Sequence, residues 1–204
     1  MTSLLSALLF SLTSNLDNVV IGMAYGIKKI KIGILANLLI ALITTLGTLL
    51  SMTAGKLIAE LMPVYISNIA GALIIIGLGL YFLMQSLLNL KNKKETNELA
   101  LKDAEEAVHY AEVSDKDKSG DLNLKEAFFV AMGLTINNLG TGIAASITGV
   151  NIQITVLFTF ILSLVMMSVG RSIGHNVLGK VLGKYAPMIS GILLIILGLF
   201  ECFN

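Results

Sequence analysis

Long apolar segments dominate this sequence and restrict its fold more than any other feature. A helix that crosses the hydrocarbon core of a membrane needs about 20 mostly apolar residues. Only 13% of the residues are charged, whereas a soluble domain carries about 25%. The sequence therefore predicts an all-α integral membrane protein and excludes a globular cytosolic enzyme. The six predicted spans are residues 3–27, 32–53, 66–90, 127–150, 152–169 and 186–203.

The basic residues indicate which side of the membrane each connection faces. All 14 lysines and arginines except Lys56 lie in the first, third and fifth connections between the predicted spans. Because basic connections stay in the cytoplasm, we expect a multi-pass protein of the cell membrane with both termini outside. The expected partners are the lipid bilayer and an inorganic cation, and a homo-oligomer is compatible with the sequence. The net charge of +1 argues against nucleic acid as a partner.

The second half of the chain repeats the polar pattern of the first half. Asp17 and Asn18 correspond to Asn137 and Asn138, 120 positions later. Each half holds three predicted spans, and this odd number inverts the second half relative to the first. Inverted repeats are typical of secondary transporters, which bind substrate between the repeats near the middle of the membrane. A duplicated bundle with a structural role is the alternative.

The repeat divides the chain into three parts. Residues 1–90 and 127–204 are the expected three-helix repeats, so the predicted fold is six transmembrane helices in two inverted halves. Residues 91–126 form a charged cytoplasmic linker, which holds every acidic residue of the chain except Asp17, Glu60 and Glu201.

Polar side chains inside the predicted spans indicate an ion site. An ionisable group at the centre of a membrane helix costs about 2.5–3.5 kcal/mol on insertion scales, and Asp17 is the only acid well inside a span. Carboxylate, amide and hydroxyl oxygens suit hard cations such as Mg²⁺, Mn²⁺ and Ca²⁺, although such groups also join membrane helices. The predicted transport-site residues are Asn15, Asp17, Asn18, Asn137, Asn138 and Thr141.

Two segments of the chain resemble a known family. SNLDNVVIGMAYG in the first span and TINNLGTGIAAS in the fourth, within a six-span inverted repeat, are similar to the bacterial manganese efflux pump (MntP-like) family. The charged linker that runs into the fourth span makes the chain most similar to the sporulation membrane proteins of the YtaF type. The resemblance covers nearly the whole chain. It implies export of a divalent cation such as Mn²⁺, a link to sporulation and no tightly bound cofactor.

The chain departs from the family at one position. The manganese pumps carry an acid in both the first and the fourth helix; Asp17 matches the first of these, but Asn137 stands at the second. A divalent ion beside a single carboxylate keeps a net positive charge, which costs free energy in a low dielectric. A weaker divalent site, a monovalent-ion site and a protein that transports nothing are all compatible with this substitution.

The end of the linker has the pattern of an EF-hand calcium loop. An EF-hand places oxygen ligands at positions 1, 3, 5, 7, 9 and 12 and a glycine at position 6. The sequence DKDKSGDLNLKE fits this spacing with Gly120 at the turn and one deviation, a serine at position 5. It predicts binding of Ca²⁺ or Mn²⁺, and a polar turn that caps the fourth span is the alternative. The predicted ligands are Asp115, Asp117, Ser119, Asp121, Asn123 and Glu126.

Two classes of function are consistent with the sequence, and neither is enzymatic. The first is a secondary transporter that exports a cation through the polar residues of the first and fourth spans. The alternative is a non-transporting membrane assembly or signalling protein, in which the calcium-responsive cytoplasmic loop modulates partner binding. An amino-acid exporter is a third option.

Overall fold

The computed structural model describes residues 2–91, 108–174 and 178–202, and these residues are almost entirely helical. Residues 92–107, which form much of the predicted linker, lie outside the described part. The helices are α1 (Thr2–Ser14), α2 (Leu16–Ile27), α3 (Ile34–Glu60), α4 (Val64–Lys91), α5 (described over 108–114), α6 (Leu124–Ile147), α7 (Ile152–Gly174) and α8 (Leu178–Cys202). Two short strands are β1 (Lys31–Ile32) and β2 (Asp121–Leu122).

Several of the described helices are long and apolar enough to cross a membrane. Four segments qualify by themselves, and α6 is a fifth if its two bent arms form one span. The apolar part of α8, Met188–Cys202, is shorter. The prediction of an all-α multi-pass membrane protein is confirmed, whereas six spans stay a prediction. The four segments are Ser3–Ile27, Ile34–Glu60, Tyr65–Leu88 and Ile152–Gly174.

Two helices continue beyond the ends predicted for their spans. The second predicted span ends at residue 53 and the fifth at residue 169, but α3 reaches Glu60 and α7 reaches Gly174. Each helix therefore includes one basic residue, Lys56 or Arg171. Near a membrane surface such a residue does not end a helix, because its long side chain can keep its charge in a polar region.

The first span is interrupted at Asn15, between α1 and α2. Asn15 has φ −107° and ψ 4°, outside the usual α region, and its backbone N–H donates to the Leu12 carbonyl at 3.3 Å. The Ser11 carbonyl, which in a regular helix would accept from the Asn15 backbone N–H, accepts from the side-chain amide of Asn15 at 2.7 Å. An unsatisfied carbonyl is costly inside a membrane, so the asparagine compensates for the break that it occupies.

The fourth span is bent at the corresponding place. The two arms of α6, Leu124–Ile136 and Asn138–Ile147, meet at an angle of 45°. Next to this bend the Thr135 hydroxyl donates to the Ala131 carbonyl at 2.8 Å, and the Asn138 amide donates to the Leu134 carbonyl at 3.2 Å. Side chains that bond to the carbonyls of the preceding turn are a common cause of helix bending.

Glycines let the helices of the bundle pack with their backbones in contact. A Cβ atom at Gly22 of α2 would lie 2.5 Å from the Met167 carbonyl oxygen of α7, and one at Gly170 would overlap the backbone of α2. The packing of α3 on α6 has the same form, because a Cβ atom at Gly55 would overlap the carbonyl group of Ile143. Small residues at such crossings are typical of membrane helix pairs.

The end of the linker is docked on the connection between α2 and α3. β1 and β2 pair in parallel, with Lys31 opposite Asp121 and Ile32 opposite Leu122. The backbone N–H of Lys31 donates to the Gly120 carbonyl at 2.8 Å, and the Leu122 side chain is buried in an apolar core that α2, α3 and α6 share. The EF-hand-like loop is therefore fixed to the membrane helices.

Candidate functional site

Asp17 and Asn138 meet at the interruption of the first span. Asp17 lies in the first turn of α2, where its Oδ1 accepts from the N–H of Asn18 at 2.9 Å. A negative charge is favourable at this end of a helix. The Nδ2 of Asn138 donates to Asp17 Oδ2 at 2.9 Å and to the Ser14 carbonyl oxygen at 2.9 Å. These bonds join α1, α2 and α6 at one point.

Asn15 and Asn18 face a different neighbour, α7. The Nδ2 of Asn18 donates to Asn15 Oδ1 at 2.8 Å and to the Ser163 hydroxyl at 3.0 Å, and the Ser163 hydroxyl lies 3.3 Å from that of Thr44 on α3. Asn18 Oδ1 is buried and has no hydrogen-bond partner among the described residues. These four residues form a second buried polar cluster beside the Asp17–Asn138 pair.

Sequence reasoning missed Ser163 and Thr44. Both lie in rows of hydroxyl residues at helical spacing, and their buried hydroxyls face one another between α3 and α7. Polar residues at a spacing of three or four predict a shared polar face of a helix, so the sequence did contain a pattern that could have identified them. The rows consist of Thr44, Thr48 and Ser51 on α3 and of Thr155, Thr159 and Ser163 on α7.

A cavity of about 450 Å³ opens beside Asp17 and Asn138. It lies among α1, α2, α4, α6 and α8 and extends to α5. Most of its lining is apolar, with a few polar groups, which is the usual character of a small-ligand site. Asp17 is the one carboxylate among the described residues that line the cavity. The polar lining residues are Thr13, Asp17, Gln85, Tyr110, Asn138 and Ser190.

Three polar lining residues outside the first and fourth spans were not predicted from the sequence: Gln85, Tyr110 and Ser190. They come from α4, α5 and α8, so only the tertiary structure brings them to Asp17. Tyr110 fits because Gly133 of α6 has no side chain; a Cβ atom there would lie 2.8 Å from the phenol oxygen. Burial raises the pKa of Tyr110, so at neutral pH the phenol is protonated and can both donate and accept.

The predicted site residue Thr141 does not extend the Asp17–Asn138 pair. The Thr141 hydroxyl is buried and donates to the Asn138 carbonyl at 3.0 Å, and Thr141 is not among the residues that line the cavity. The side chain of Asn137 lies outside the part of the chain that the structure describes.

The loop from Asp115 to Glu126 brings three of its predicted ligands together. Oxygen atoms of Asp115, Asp117 and Glu126 all lie within 4.8 Å of one another. The Asp115 carboxylate accepts from the N–H groups of Ser119 and Gly120, both at 3.1 Å. Gly120 has φ +76°, which a glycine adopts without steric cost. Hydrogen bonding from the Ser119 side chain, and then from the Ser119 N–H at 3.0 Å from Asp117 Oδ1, lowers the pKa of Asp117.

The same loop also caps α6. The Asn123 side chain accepts from the Glu126 N–H at 3.0 Å, and the Glu126 carboxylate accepts from the Asn123 N–H at 3.0 Å. This reciprocal capping box satisfies two donors at the start of the helix. Glu126 also accepts from the Lys116 N–H at 2.7 Å. The polar cap that the sequence offered as the alternative is therefore present, whether or not the loop binds an ion.

The fold and the Asp17–Asn138 pair define a multi-pass α-helical membrane protein. The Asp17 carboxylate lies beside a cavity, at the break of the first span. A family model described as "Putative manganese efflux pump" matches residues 99–200. "Probable sporulation protein YtaF" from Bacillus subtilis (strain 168) is 32% identical over 155 residues, which cover 72% of this chain and 74% of that protein. The chain belongs to the MntP-like family, as the resemblance of its sequence predicted. No solved structure matches it.

Proposed function

We propose that this protein is a secondary transporter that exports a divalent cation such as Mn²⁺. The observation that carries the proposal is the Asp17–Asn138 pair, with 2.9 Å between Oδ2 and Nδ2, at the edge of a cavity of about 450 Å³. An acid within an apolar span is costly unless it serves a site or a partner. The family described as manganese efflux pumps supports the choice of cation.

The cation would bind to Asp17 and to neutral oxygens around it. In the described arrangement Asn138 presents an N–H group to the carboxylate, in the place that a cation would take. Turning the amide over would present Asn138 Oδ1 to the ion instead, and Gln85, Ser190 and water could complete the coordination. Carboxylate, carbonyl and water ligands suit Mg²⁺, Ca²⁺ and Mn²⁺.

Two inverted three-helix repeats, over residues 1–90 and 127–204, are part of this proposal. The break of the first span at Asn15 and the bend of the fourth beside Asn138 support it, as does the similar close packing of α2 on α7 and of α3 on α6. A substrate site between two interrupted helices is a recurring arrangement in secondary transporters.

We also propose that both termini lie outside the cell membrane and that the linker is cytoplasmic. An ion pair of 3.0 Å joins Lys28 to Glu112, and the β1–β2 pairing holds the same two segments together. Ile32 and Arg171 line one small cavity. The three basic connections therefore share one end of the bundle, as the positive-inside rule requires of cytoplasmic segments.

For the loop Asp115–Glu126 we propose weak binding of Ca²⁺ or Mn²⁺. The three carboxylates within 4.8 Å of one another support this. Because their oxygens already accept backbone hydrogen bonds, an ion must replace some of these bonds, so we expect a Kd of about 10⁻⁵–10⁻³ M, in the range of sensor and weak sites. This loop is the basis of the alternative function, a non-transporting assembly or signalling protein.

Cation flux in proteoliposomes separates the two functions. We expect the Mn²⁺ flux of vesicles that contain the wild-type protein to exceed that of protein-free vesicles. Fluxes of Na⁺ and Mg²⁺ measure the selectivity. If the folded protein moves no cation while its loop binds Ca²⁺, the assembly or signalling function is supported instead. The name of the Bacillus subtilis relative, a probable sporulation protein, further supports a role of this export in sporulation. Spore yields of a deletion strain would test this role.

A further inference from the structure

The cavity beside Asp17 extends toward one end of the bundle. This end carries α5 and the paired strands β1 and β2, and we call it the linker side. On α2, which runs toward β1, the lining residues continue from Asp17 to Ile21. On α6, which begins directly after β2, they continue from Asn138 back to Gly133. At a rise of about 1.5 Å per residue, the cavity therefore reaches about one helical turn from the Asp17–Asn138 pair toward the linker side.

Apolar side chains fill the bundle on the other side of Asp17. Phe10 precedes the break of the first span, and Ala144 follows the bend of the fourth span; each is 1% exposed. Both belong to one apolar cluster, to which α1, α3, α4, α6 and α8 contribute. Protein interiors are packed about as densely as organic crystals. The described residues therefore close the cavity on this side, and the cavity opens toward the linker side.

The linker helix α5 lies at the open end of this cavity. Ala111 is buried in the core that α5 shares with α2 and α6, and an ion pair of 3.0 Å joins Glu112 to Lys28, directly after α2. The preceding residue, Tyr110, lines the cavity and is 37% exposed. Its phenol oxygen uses the space that Gly133 leaves free, since a Cβ atom there would lie 2.8 Å away. A side chain that lines a cavity and is also partly exposed lies at its mouth.

We propose that the ring of Tyr110 forms the entrance to the cavity and restricts the route between the linker side and Asp17 to small cations. A residue of the linker is then part of the transport route, and it determines specificity by size. The proposal rests on the proposed function, in which Asp17 binds the cation. The cavity of about 450 Å³ is much larger than a bare metal ion, so the site itself cannot exclude bulky cations, and a narrow mouth can.

Cysteine modification in membrane vesicles of both orientations tests the entrance without requiring transport. In a Cys202→Ser background, Ser119→Cys identifies the linker side and Leu61→Cys the other side, so the test does not depend on the proposed topology. Ile21→Cys places a thiol in the cavity, and Ala144→Cys places one in the apolar cluster. We expect a membrane-impermeant cationic methanethiosulfonate to modify Ile21→Cys from the linker side only, and Ala144→Cys from neither side.

The size of the side chain at position 110 should set the rate of this modification. We expect Tyr110→Ala to raise the rate at Ile21→Cys by about tenfold, because the reagent no longer has to displace a packed ring. Tyr110→Phe keeps the ring and should stay within about threefold of the wild-type rate. Tyr65→Ala is the matched control, because it removes another tyrosine ring, which is 77% exposed at the start of α4. Should Tyr110→Ala fail to fold, Tyr110→Leu serves instead.

The proposal is overturned if Ile21→Cys is modified as fast from the other side as from the linker side, or if Ala144→Cys is modified. It is also overturned if the folded Tyr110→Ala or Tyr110→Leu variant reacts at the wild-type rate, since the ring would then restrict nothing. Failure of the proposed function gives a different result. Modification from the linker side that depends on Tyr110, in a protein that moves no Mn²⁺, contradicts cation export and leaves the entrance in place.

Discussion

The amide nitrogen of Asn138 lies 2.9 Å from Oδ2 of Asp17, although the two residues are 121 positions apart in the chain. The same nitrogen lies 2.9 Å from the Ser14 carbonyl oxygen and 3.2 Å from that of Leu134. One amide group thus contacts both the Asp17 carboxylate and the Ser14 carbonyl of the interrupted first span. A cation that took the place of this N–H donor on Asp17 Oδ2 would couple ion binding to the contact between α2 and α6.

Asn138→Asp should convert this pair into a stronger divalent site. Two adjacent carboxylates repel each other without an ion and neutralise a divalent ion when it binds. We expect lower thermal stability in EDTA, and a Kd for Mn²⁺ about tenfold lower than in the wild type, which equals about 1.4 kcal/mol. Thermal unfolding across a Mn²⁺ titration measures both effects.

Asn151→Asp is the control for this variant, because it also replaces an amide by an acid. Asn151 caps the start of α7 and accepts from the Ile154 N–H at 3.0 Å, a role that aspartate fills equally well. If Asn138→Asp responds to Mn²⁺ no more than Asn151→Asp does, Asn138 does not face the ion.

The sequence predicted the helices and the meeting of Asp17 with Asn138 better than it predicted their surroundings. A helical spacing identifies which residues share a face, but not which neighbour that face contacts. Asn15 and Asn18 therefore lie with Ser163 on α7, whereas Asp17, next to Asn18 in the chain, faces α6. Tyr110 and Gln85 reach the cavity only through the tertiary packing of other elements.

The loop Asp115–Glu126 should lose its affinity for Ca²⁺ and Mn²⁺ in Asp115→Ala. This change removes the acceptor of the Ser119 and Gly120 N–H groups and one of the three clustered carboxylates. Isothermal titration should give a wild-type Kd of about 10⁻⁵–10⁻³ M and no saturable heat in the variant.

Asp121→Asn is the matched control for the loop. Position 7 of an EF-hand contributes its backbone carbonyl, so this variant should keep a Kd within about threefold of the wild-type value; the charge is lost, but no ligand atom is. Wild-type protein that gives no heat up to millimolar metal would leave the loop as a helix cap alone.

Accessibility of single cysteines should confirm that the linker is cytoplasmic. In a Cys202→Ser background, Ser119→Cys places a thiol on the exposed part of the loop, and Leu61→Cys places one at the opposite end, where Leu61 is 87% exposed. We expect a membrane-impermeant maleimide to label intact cells at position 61 and not at position 119. The reverse labelling pattern would contradict the proposed orientation.

Close packing at the glycines should make Gly55→Ala and Gly170→Ala destabilising. In each case the new Cβ atom overlaps a backbone carbonyl of the neighbouring helix, and we expect a loss of about 1–3 kcal/mol, the usual cost of overpacking. Gly77→Ala is the control, because no described atom of another helix lies within 4 Å of the added methyl group. Denaturation in detergent should rank both variants below Gly77→Ala, and equal stability of the three would argue against these crossings.

Mn²⁺ flux by the Asp17→Asn variant tests the central claim most directly. The amide oxygen at position 17 can still accept from Asn138, so the variant should fold, with the helical content and elution volume of the wild type. It should carry no Mn²⁺ above the rate of protein-free vesicles, because the Asp17 carboxylate at the cavity is gone. Glu60→Gln, which removes an exposed acid at the end of α3, should retain the wild-type rate. Wild-type flux in Asp17→Asn would contradict the assignment of Asp17 as the cation ligand.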